Sequence, residues 1–211
     1  MEIIYLESID STHKFLEREI KNKKLNPPIA VVANKQTSGV GSRGNRWISL
    51  DGNLFLSFAL KNNFLPKDLP LASASIYFAM IMKETLFNMG SSVWIKWPND
   101  FYINDKKIGG VITKKFKNII LCSIGVNLNR APEGFGKLDI NIDKKIILKE
   151  FFTILQLTPS WKEIFRKFQI EFHKSGGFSF HSGKIKYFIQ NAILNPDGSI
   201  TLNGKRIYNL R

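Results

Sequence analysis

A chain of 211 residues can bury one substantial core and a small additional lobe, and 44% hydrophobic and 12% aromatic residues exclude a disordered protein. Lys and Arg number 31 against 17 Asp and Glu, a net charge of +14 that suits polyanions without choosing between nucleic acid, nucleotides, membranes and an acidic protein. The single cysteine, Cys122, excludes an internal disulfide framework. The longest mostly apolar run, 69–82, is shorter than the ~20 residues needed to span a bilayer. We therefore expect a cytoplasmic protein without a membrane partner.

The first half of the chain predicts three strands and two helices. Strand patterns cover 3–6, 29–33 and 53–60, the last with large apolar residues at alternate positions. Capping oxygens at 10–12 predict a helix over 13–21, and 71–89 is apolar on nearly all sides, as expected of a helix at the centre of a domain. The Gly-rich, basic and polar segment 36–49 predicts a loop.

The second half predicts an antiparallel meander followed by helices. Short strands at 93–97, 101–104, 107–113 and 119–126 are joined by turns of two to four residues. An irregular loop over 127–143 precedes helices at 144–157 and 161–173, and alternating residues from 178 onward predict a small β lobe. The predicted fold is α+β, with a mixed, mainly antiparallel sheet and packed helices. We expect residues 1–175 to form the main domain and 176–211 the small C-terminal lobe.

The segment 36–47 is the first candidate ligand site. Glycines at 39, 41 and 44 let backbone amides approach a ligand closely, and Arg43 and Arg46 supply charge for a phosphate. A Walker A loop is excluded because no Gly-Lys-Ser/Thr follows, and a dinucleotide fingerprint is excluded because a strand comes next. A flexible surface loop is the alternative, but glycines paired with arginines and closed by Trp47 favour anion binding.

Two further segments lie in the meander, at 96–100 (Lys-Trp-Pro-Asn-Asp) and 107–111 (Lys-Ile-Gly-Gly-Val). A tight turn accounts for Pro-Asn-Asp but not for the preceding Lys-Trp. Paired glycines weaken a strand unless something approaches it closely, and Lys107 beside them would stabilise charge where a carboxylate attacks a phosphate. Residue types alone therefore predict a nucleotide- or phosphate-handling α+β enzyme.

In this order and at these spacings, the segments resemble the catalytic domain of biotin–protein ligases. Ser11-Thr12-His13 matches a Ser-Thr-Asn of the family, 36–47 matches its glycine–arginine loop, and 125–127 matches its Gly-(Ile/Val)-Asn. The Lys-Trp-Pro-Asn-Asp segment is reproduced unchanged, and its combination with Lys-x-Gly-Gly at 107–110 is highly specific. The resemblance covers residues 1 to about 157 well and the remainder weakly.

The resemblance implies a catalytic domain like that of class II aminoacyl-tRNA synthetases, in which biotin and MgATP form biotinyl-adenylate and a lysine of a biotin carboxyl-carrier protein then accepts the biotin. The implied catalytic residues are Lys107, Arg43 and Arg46. The implied biotin-binding residues are Ser11, Thr12, Gln36, Gly39, Lys107, Gly109, Gly110 and Ser123. The implied nucleotide-binding residues are Ser42, Arg43, Arg46, Trp47, Asn99, Asp100 and Asn127. The resemblance implies neither a metal-ligating residue set nor a tightly bound prosthetic group.

The chain departs from the family pattern in two places. Val40 and Ser42 stand where the family usually has arginines, and His13 replaces an asparagine. Some family members begin with a DNA-binding helix-turn-helix, but here the catalytic pattern begins within the first ten residues, so no specific DNA partner is expected. A monomer and a homodimer are both compatible with the sequence.

Two other functions stay open at the level of sequence. A lipoate–protein ligase would have a related fold, although its usual Arg-Arg-x-x-Gly-Gly-Gly loop and following His-Asp are not found here. A basic nucleic-acid-binding module would explain the charge of +14, but the basic residues are not interleaved with aromatic ones along one strand or helix.

Overall fold

The computed structural model describes residues 1–182 and 185–208, without the side chains of Arg43 and Ser182. Its α-helices are α1 (Thr12–Lys21), α2 (Ala74–Asn88), α3 (Lys144–Gln156) and α4 (Trp161–Glu171). Its strands are β1 (Glu2–Ile9), β2 (Ile29–Gln36), β3 (Gly39–Val40), β4 (Arg46–Trp47), β5 (Leu54–Lys61), β6 (Trp94–Lys96), β7 (Asp100–Ile103), β8 (Lys106–Phe116), β9 (Ile119–Val126), β10 (Ser179–Ser182), β11 (Ile185–Phe188), β12 (Ile193–Leu194), β13 (Ile200–Leu202) and β14 (Lys205–Ile207).

A seven-stranded sheet forms the centre of the molecule, in the order β1-β2-β5-β9-β8-β7-β6. The β1–β2 pair is parallel and every other neighbouring pair of this sheet is antiparallel. The predicted α+β class with a mixed, mainly antiparallel sheet is confirmed. The predicted meander is also confirmed, because β6, β7, β8 and β9 follow one another in both sequence and space.

Helix α2 is buried on nearly all sides, as its apolar sequence predicts. It packs between the sheet and helices α3 and α4, where Phe78 meets the β5 residue Phe58 edge to face at 5.1 Å between ring centroids. The predicted helix began at 71, but Leu71–Ser73 forms a 3-10 turn and α2 begins at Ala74. Such turns are frequent at helix N-termini.

The opposite face of the sheet is covered by α1. Its buried residues Leu16 and Ile20 pack on Val31 and Leu121 in a second, smaller apolar cluster. Ser11 caps the helix by accepting a hydrogen bond from the Lys14 amide at 3.4 Å. The sheet is therefore packed between α1 on one side and the larger helical layer on the other.

The segment predicted as a loop over 36–49 contains a small hairpin, so that prediction is wrong in part. Strands β3 and β4 pair antiparallel, Gly39 with Trp47 and Val40 with Arg46, around a 3-10 turn at Ser42–Gly44. Gly44 has a φ of +77°, a left-handed conformation that costs glycine little. Gly44, one of the glycines predicted to serve a ligand, therefore shapes the turn.

The C-terminal lobe is tied to the main body by two tryptophans. The indole Nε1 of Trp97 donates to the Gly198 carbonyl at 2.9 Å, and that of Trp161 donates to the Pro196 carbonyl at 2.8 Å. Phe180 of the lobe is buried in the same apolar cluster as α2. A boundary near residue 175 remains a prediction. Within residues 1–182 and 185–208, none of the helices is long and apolar enough to cross a membrane.

Candidate functional site

A cleft of about 370 Å³ opens where α1 begins, beside the β3–β4 hairpin and across the middle strands of the sheet. It brings together residues that lie far apart in the sequence, from the start of α1 to the end of β9. The predicted site residues that line it are Ser11, Thr12, Gln36, Ser42, Arg46, Trp47, Asn99, Asp100, Lys107, Gly110 and Ser123. Most of the residues that the sequence singled out therefore share one surface.

Three predicted residues are not in the lining. A Cβ built on Gly39 would lie 2.7 Å from the Trp47 carbonyl, and one on Gly109 would lie 2.5 Å from the Gly125 carbonyl, so both glycines permit close strand packing behind the cleft. Asn127 is buried, and its Nδ2 donates to the Gly136 carbonyl at 3.0 Å. The side chain of Arg43 lies outside the described part of the chain.

One end of the cleft is polar because β1 and β2 run parallel. The carboxyl ends of parallel strands meet at the same sheet edge, so Thr12, just after β1, reaches Gln36 at the end of β2. Gln36 Oε1 accepts from the Thr12 amide at 2.9 Å and from its hydroxyl at 3.1 Å, while Gln36 Nε2 donates to Ser49 at 3.1 Å.

This polar end continues into the sheet. The Ser57 hydroxyl donates to Thr12 Oγ1 at 2.8 Å and lies 2.7 Å from the Ser123 hydroxyl, and His13 Nδ1 lies 2.8 Å from Ser123 Oγ. Burial lowers the pKa of His13, an effect that the nearby carboxylate of Glu17 opposes. Burial therefore favours the uncharged ring of His13.

The other end of the cleft is charged. Lys107 Nζ donates to Asp100 Oδ1 at 2.7 Å, and Lys96 Nζ lies 3.4 Å from Asp100 Oδ2. Two lysines on one carboxylate leave a net positive charge in a largely buried place. The preceding turn is held by the Asn99 side chain, whose Nδ2 donates to the Val111 carbonyl. This end of the cleft is suited to anionic groups such as phosphate.

Trp47 lines the cleft from the β3–β4 hairpin. A Cβ on Gly125 would lie 2.9 Å from the indole ring, so glycine at this position of β9 lets the ring approach the strand closely. The indole Nε1 is buried and has no hydrogen-bond partner among the described atoms. The exposed Arg46 reaches back to the Thr37 carbonyl through Nη2 at 3.3 Å.

The structure explains the Lys-Trp pair that a simple turn could not. Lys96 contacts Asp100, and Trp97 is buried against Phe180 of the C-terminal lobe with 4.9 Å between ring centroids. The Trp97 amide also donates to Ser175 Oγ at 3.0 Å. This segment therefore connects the charged end of the cleft to the C-terminal lobe.

Several lining residues were not assigned to the site from the sequence. His13 is one of them, and its position after Ser-Thr at a helix start was the available signal. The others are Val40, Gly41, Asn45, Phe55, Leu56, Val111, Ile112, Ile124, Gly125 and Phe135. Alternation along β5, β8 and β9 could have identified Phe55, Ile112 and Gly125, which share a face of the sheet with Ser123, once the sheet order was known. It could not have identified their neighbours Leu56, Val111 and Ile124. Among the described residues, no cluster of three or more His, Cys, Asp or Glu could hold a metal ion.

The sequence profile of the Biotin/lipoate A/B protein ligase family matches residues 5–129 of the chain. Among curated proteins, the Bifunctional ligase/repressor BirA of Escherichia coli (strain K12) is 33% identical over 134 residues, which are 61% of this chain and 40% of the relative. The Biotin--[acetyl-CoA-carboxylase] ligase of Paracoccus denitrificans is 30% identical over 113 residues, 49% of this chain and 45% of the relative. The chain thus spans less than half the length of these curated relatives.

Among solved structures, the chain is similar to the Biotin Acetyl Coenzyme A Carboxylase Synthetase from Helicobacter pylori with bound Biotinylated ATP. The two share 38% identity with a TM-score of 0.94, over 98% of this chain and 99% of that one. The Biotin protein ligase from Aquifex aeolicus in complex with biotin and ATP is 24% identical with a TM-score of 0.78, over 100% of this chain and 96% of that one. The Aquifex likeness concerns the fold alone.

Proposed function

Because this chain belongs to the Biotin/lipoate A/B protein ligase family, we propose that it is an ATP-dependent biotin–protein ligase. The observation that carries the proposal is a single cleft with a hydrogen-bonding end and a charged end. At the charged end, Lys107 Nζ lies 2.7 Å from Asp100 Oδ1. The ureido ring of biotin would lie at the polar end, with Thr12, Gln36 and Ser123. Its carboxylate would meet ATP at the charged end.

In the first step, a carboxylate oxygen of biotin attacks the α-phosphorus of ATP, the bond to the β-phosphate breaks, and pyrophosphate leaves. Lys107 would neutralise the charge that gathers between carboxylate and phosphate. At about 4 Å, opposite unit charges attract by about 4 kcal/mol at an effective dielectric near 20. Trp47 would cover the adenylate, together with Ser42 and Arg46 of the hairpin.

Magnesium would enter with ATP rather than through a dedicated protein site. Mg²⁺ is usually held by one or two carboxylates together with substrate phosphates and water. Asp100 is the one carboxylate among the described residues of the lining, and Asn99 is beside it. These two residues would face the metal, which supplies charge neutralisation of the phosphates.

In the second step, the amine of a carrier lysine attacks the carbonyl carbon of biotinyl-adenylate. An amide bond forms, the anhydride bond breaks with AMP as leaving group, and the amine loses a proton. We propose a biotin carboxyl-carrier protein as this partner. The enzyme would contribute alignment and exclusion of water from the anhydride. We further propose a reducing, cytoplasmic location, which suits the single buried Cys122.

Thermal unfolding tests the substrate assignment. A ligand that binds only the folded state stabilises it by about 2.7 kcal/mol at one hundred times its dissociation constant, which is roughly 5–10 °C for a chain of this size. We expect biotin to raise the melting temperature and biotin with MgATP to raise it further. Lipoate serves as the control, since its dithiolane ring offers no N–H donors to the polar end. An equal shift with lipoate would contradict the assignment.

A further inference from the structure

A continuous line of side-chain hydrogen bonds crosses the polar end of the cleft. It begins at Gln36, passes through the hydroxyls of Thr12, Ser57 and Ser123, and ends at Nδ1 of His13. The members come from α1, β2, β5 and β9, and their donor–acceptor distances lie between 2.7 and 3.1 Å. Each hydroxyl has a single proton, so the protons in this line cannot be arranged independently.

The direction of every bond follows from one backbone amide. The Thr12 N–H can only donate, so the Gln36 atom 2.9 Å away is the carbonyl oxygen. That oxygen can only accept, so the Thr12 hydroxyl donates to it. The Ser57 hydroxyl then donates to Thr12, and the Ser123 hydroxyl donates to Ser57. With its proton committed, Ser123 can only accept from His13.

His13 must therefore carry a proton on Nδ1. Its Nε2 atom is 4.0 Å from Glu17 Oε2. The other oxygen of this carboxylate, Oε1, lies 2.5 Å from Lys21 Nζ and 2.7 Å from Lys114 Nζ. Burial favours the neutral ring, in which Nε2 is bare. Protonation of Nε2 would leave the Nδ1 proton in place, so the direction of the line is the same in both charge states.

This direction decides what the cleft offers to a ligand. Thr12 and Ser123 line the cleft, and each hydroxyl already donates its proton within the line. Each also accepts one hydrogen bond there, so one lone pair remains for a ligand. Both hydroxyls can therefore accept hydrogen bonds from a ligand but cannot donate to it. A ring with N–H groups satisfies them, whereas a ring with only acceptors or apolar atoms leaves them unpaired at a cost.

We propose that His13 is a positioning residue that ends this line: its Nδ1–H, 2.8 Å from Ser123 Oγ, donates to one lone pair of Ser123 and holds that oxygen in place, so that the other lone pair accepts from a cyclic N–H donor such as the ureido ring of biotin. The inference rests on the proposed function for the identity of the ligand. The direction of the line rests only on the structure, and the two parts can be tested separately.

The first test is nitrogen NMR on uniformly ¹⁵N-labelled protein without ligand. The chain has three histidines, so His13 can be assigned by comparison with a His13→Asn variant. We expect the Nδ1-protonated, Nε2-bare tautomer of His13 at neutral pH. A ring protonated on Nε2 and bare on Nδ1 would overturn the inference, whether or not the protein binds biotin. Failure to bind biotin with the expected tautomer present would instead overturn the proposed function.

The second test compares His13→Asn with His13→Leu in steady-state assays of pyrophosphate release. Asparagine can place an N–H near the position of Nδ1, whereas leucine has a similar size and no donor. We expect His13→Leu to raise the KM for biotin about tenfold, the usual size of one lost hydrogen bond with an unpaired partner, and to change the KM for ATP little. His13→Asn, which keeps a donor, should have a KM for biotin within about threefold of the wild type. Equal KM values for biotin in the two variants would show that His13 only fills space.

Discussion

Replacement of Lys107 by alanine is expected to lower the rate of biotin-dependent pyrophosphate release by about 10²–10³-fold, the usual effect of removing one preorganised charge donor. Lys107 is the lysine that extends from β8 into the cleft, and its ammonium group lies 2.7 Å from Asp100. Without it, the carboxylate of biotin and the α-phosphate would approach with less neutralisation. Lys96 would remain on Asp100, so the fold should be retained.

The matched control is Lys106→Ala. Lys106 is the preceding residue of the same strand and has an exposed side chain outside the cleft. Its removal changes the net charge of the protein by the same amount, so any difference between the two variants reports on position. Pyrophosphate release within a few-fold of wild type in Lys107→Ala, at an unchanged melting temperature, would show that this lysine has no part in the reaction.

The Gly109→Ala variant is expected to lose about 1–3 kcal/mol of its free energy of unfolding, which corresponds to a fall of roughly 2–12 °C in melting temperature. The added Cβ would lie 2.5 Å from the carbonyl oxygen of Gly125 and 2.8 Å from the ring of Phe101. The first of these contacts is with backbone in the middle of the sheet, so relief requires β8 and β9 to move apart. Differential scanning calorimetry measures the change.

Gly176→Ala is the control for the glycine substitution itself. A Cβ at this position meets no atom within 4 Å, and the backbone there does not have the positive φ that favours glycine. Its melting temperature should change little. If Gly109→Ala melted at the same temperature as this control, the close packing of β8 on β9 would not be needed for stability.

The sequence contained enough information to predict the sheet and its central helix. The tight turns between strands required β6 to β9 to be antiparallel neighbours, and an apolar helix at 71–89 could only be buried. The paired glycines at 109 and 110 predicted a close approach, although the neighbour of Gly109 is the sheet itself and not a ligand. Here a local rule identified the feature without identifying its partner.

Contacts between distant parts of the chain could not be predicted in the same way. His13 and Ser123 are 110 positions apart, and nothing in either local pattern indicates that α1 lies across β9. Trp97 and Gly198 are 101 positions apart, so the contact by which the tryptophan holds the C-terminal lobe could not be predicted from the sequence either. The hairpin within 36–49 was missed because two-residue strands are too short for alternation to show.

The order of strands in the sheet also has a consequence for refolding. The polar end of the cleft requires α1, β2, β5 and β9 together, so it appears only after contacts form between residues 66 and 110 positions apart in the sequence. Loop closure over such distances makes folding slow, typically milliseconds to seconds, whereas helices form in about a microsecond. In a stopped-flow experiment, helical circular dichroism should therefore recover first, and the capacity to bind biotin should return last.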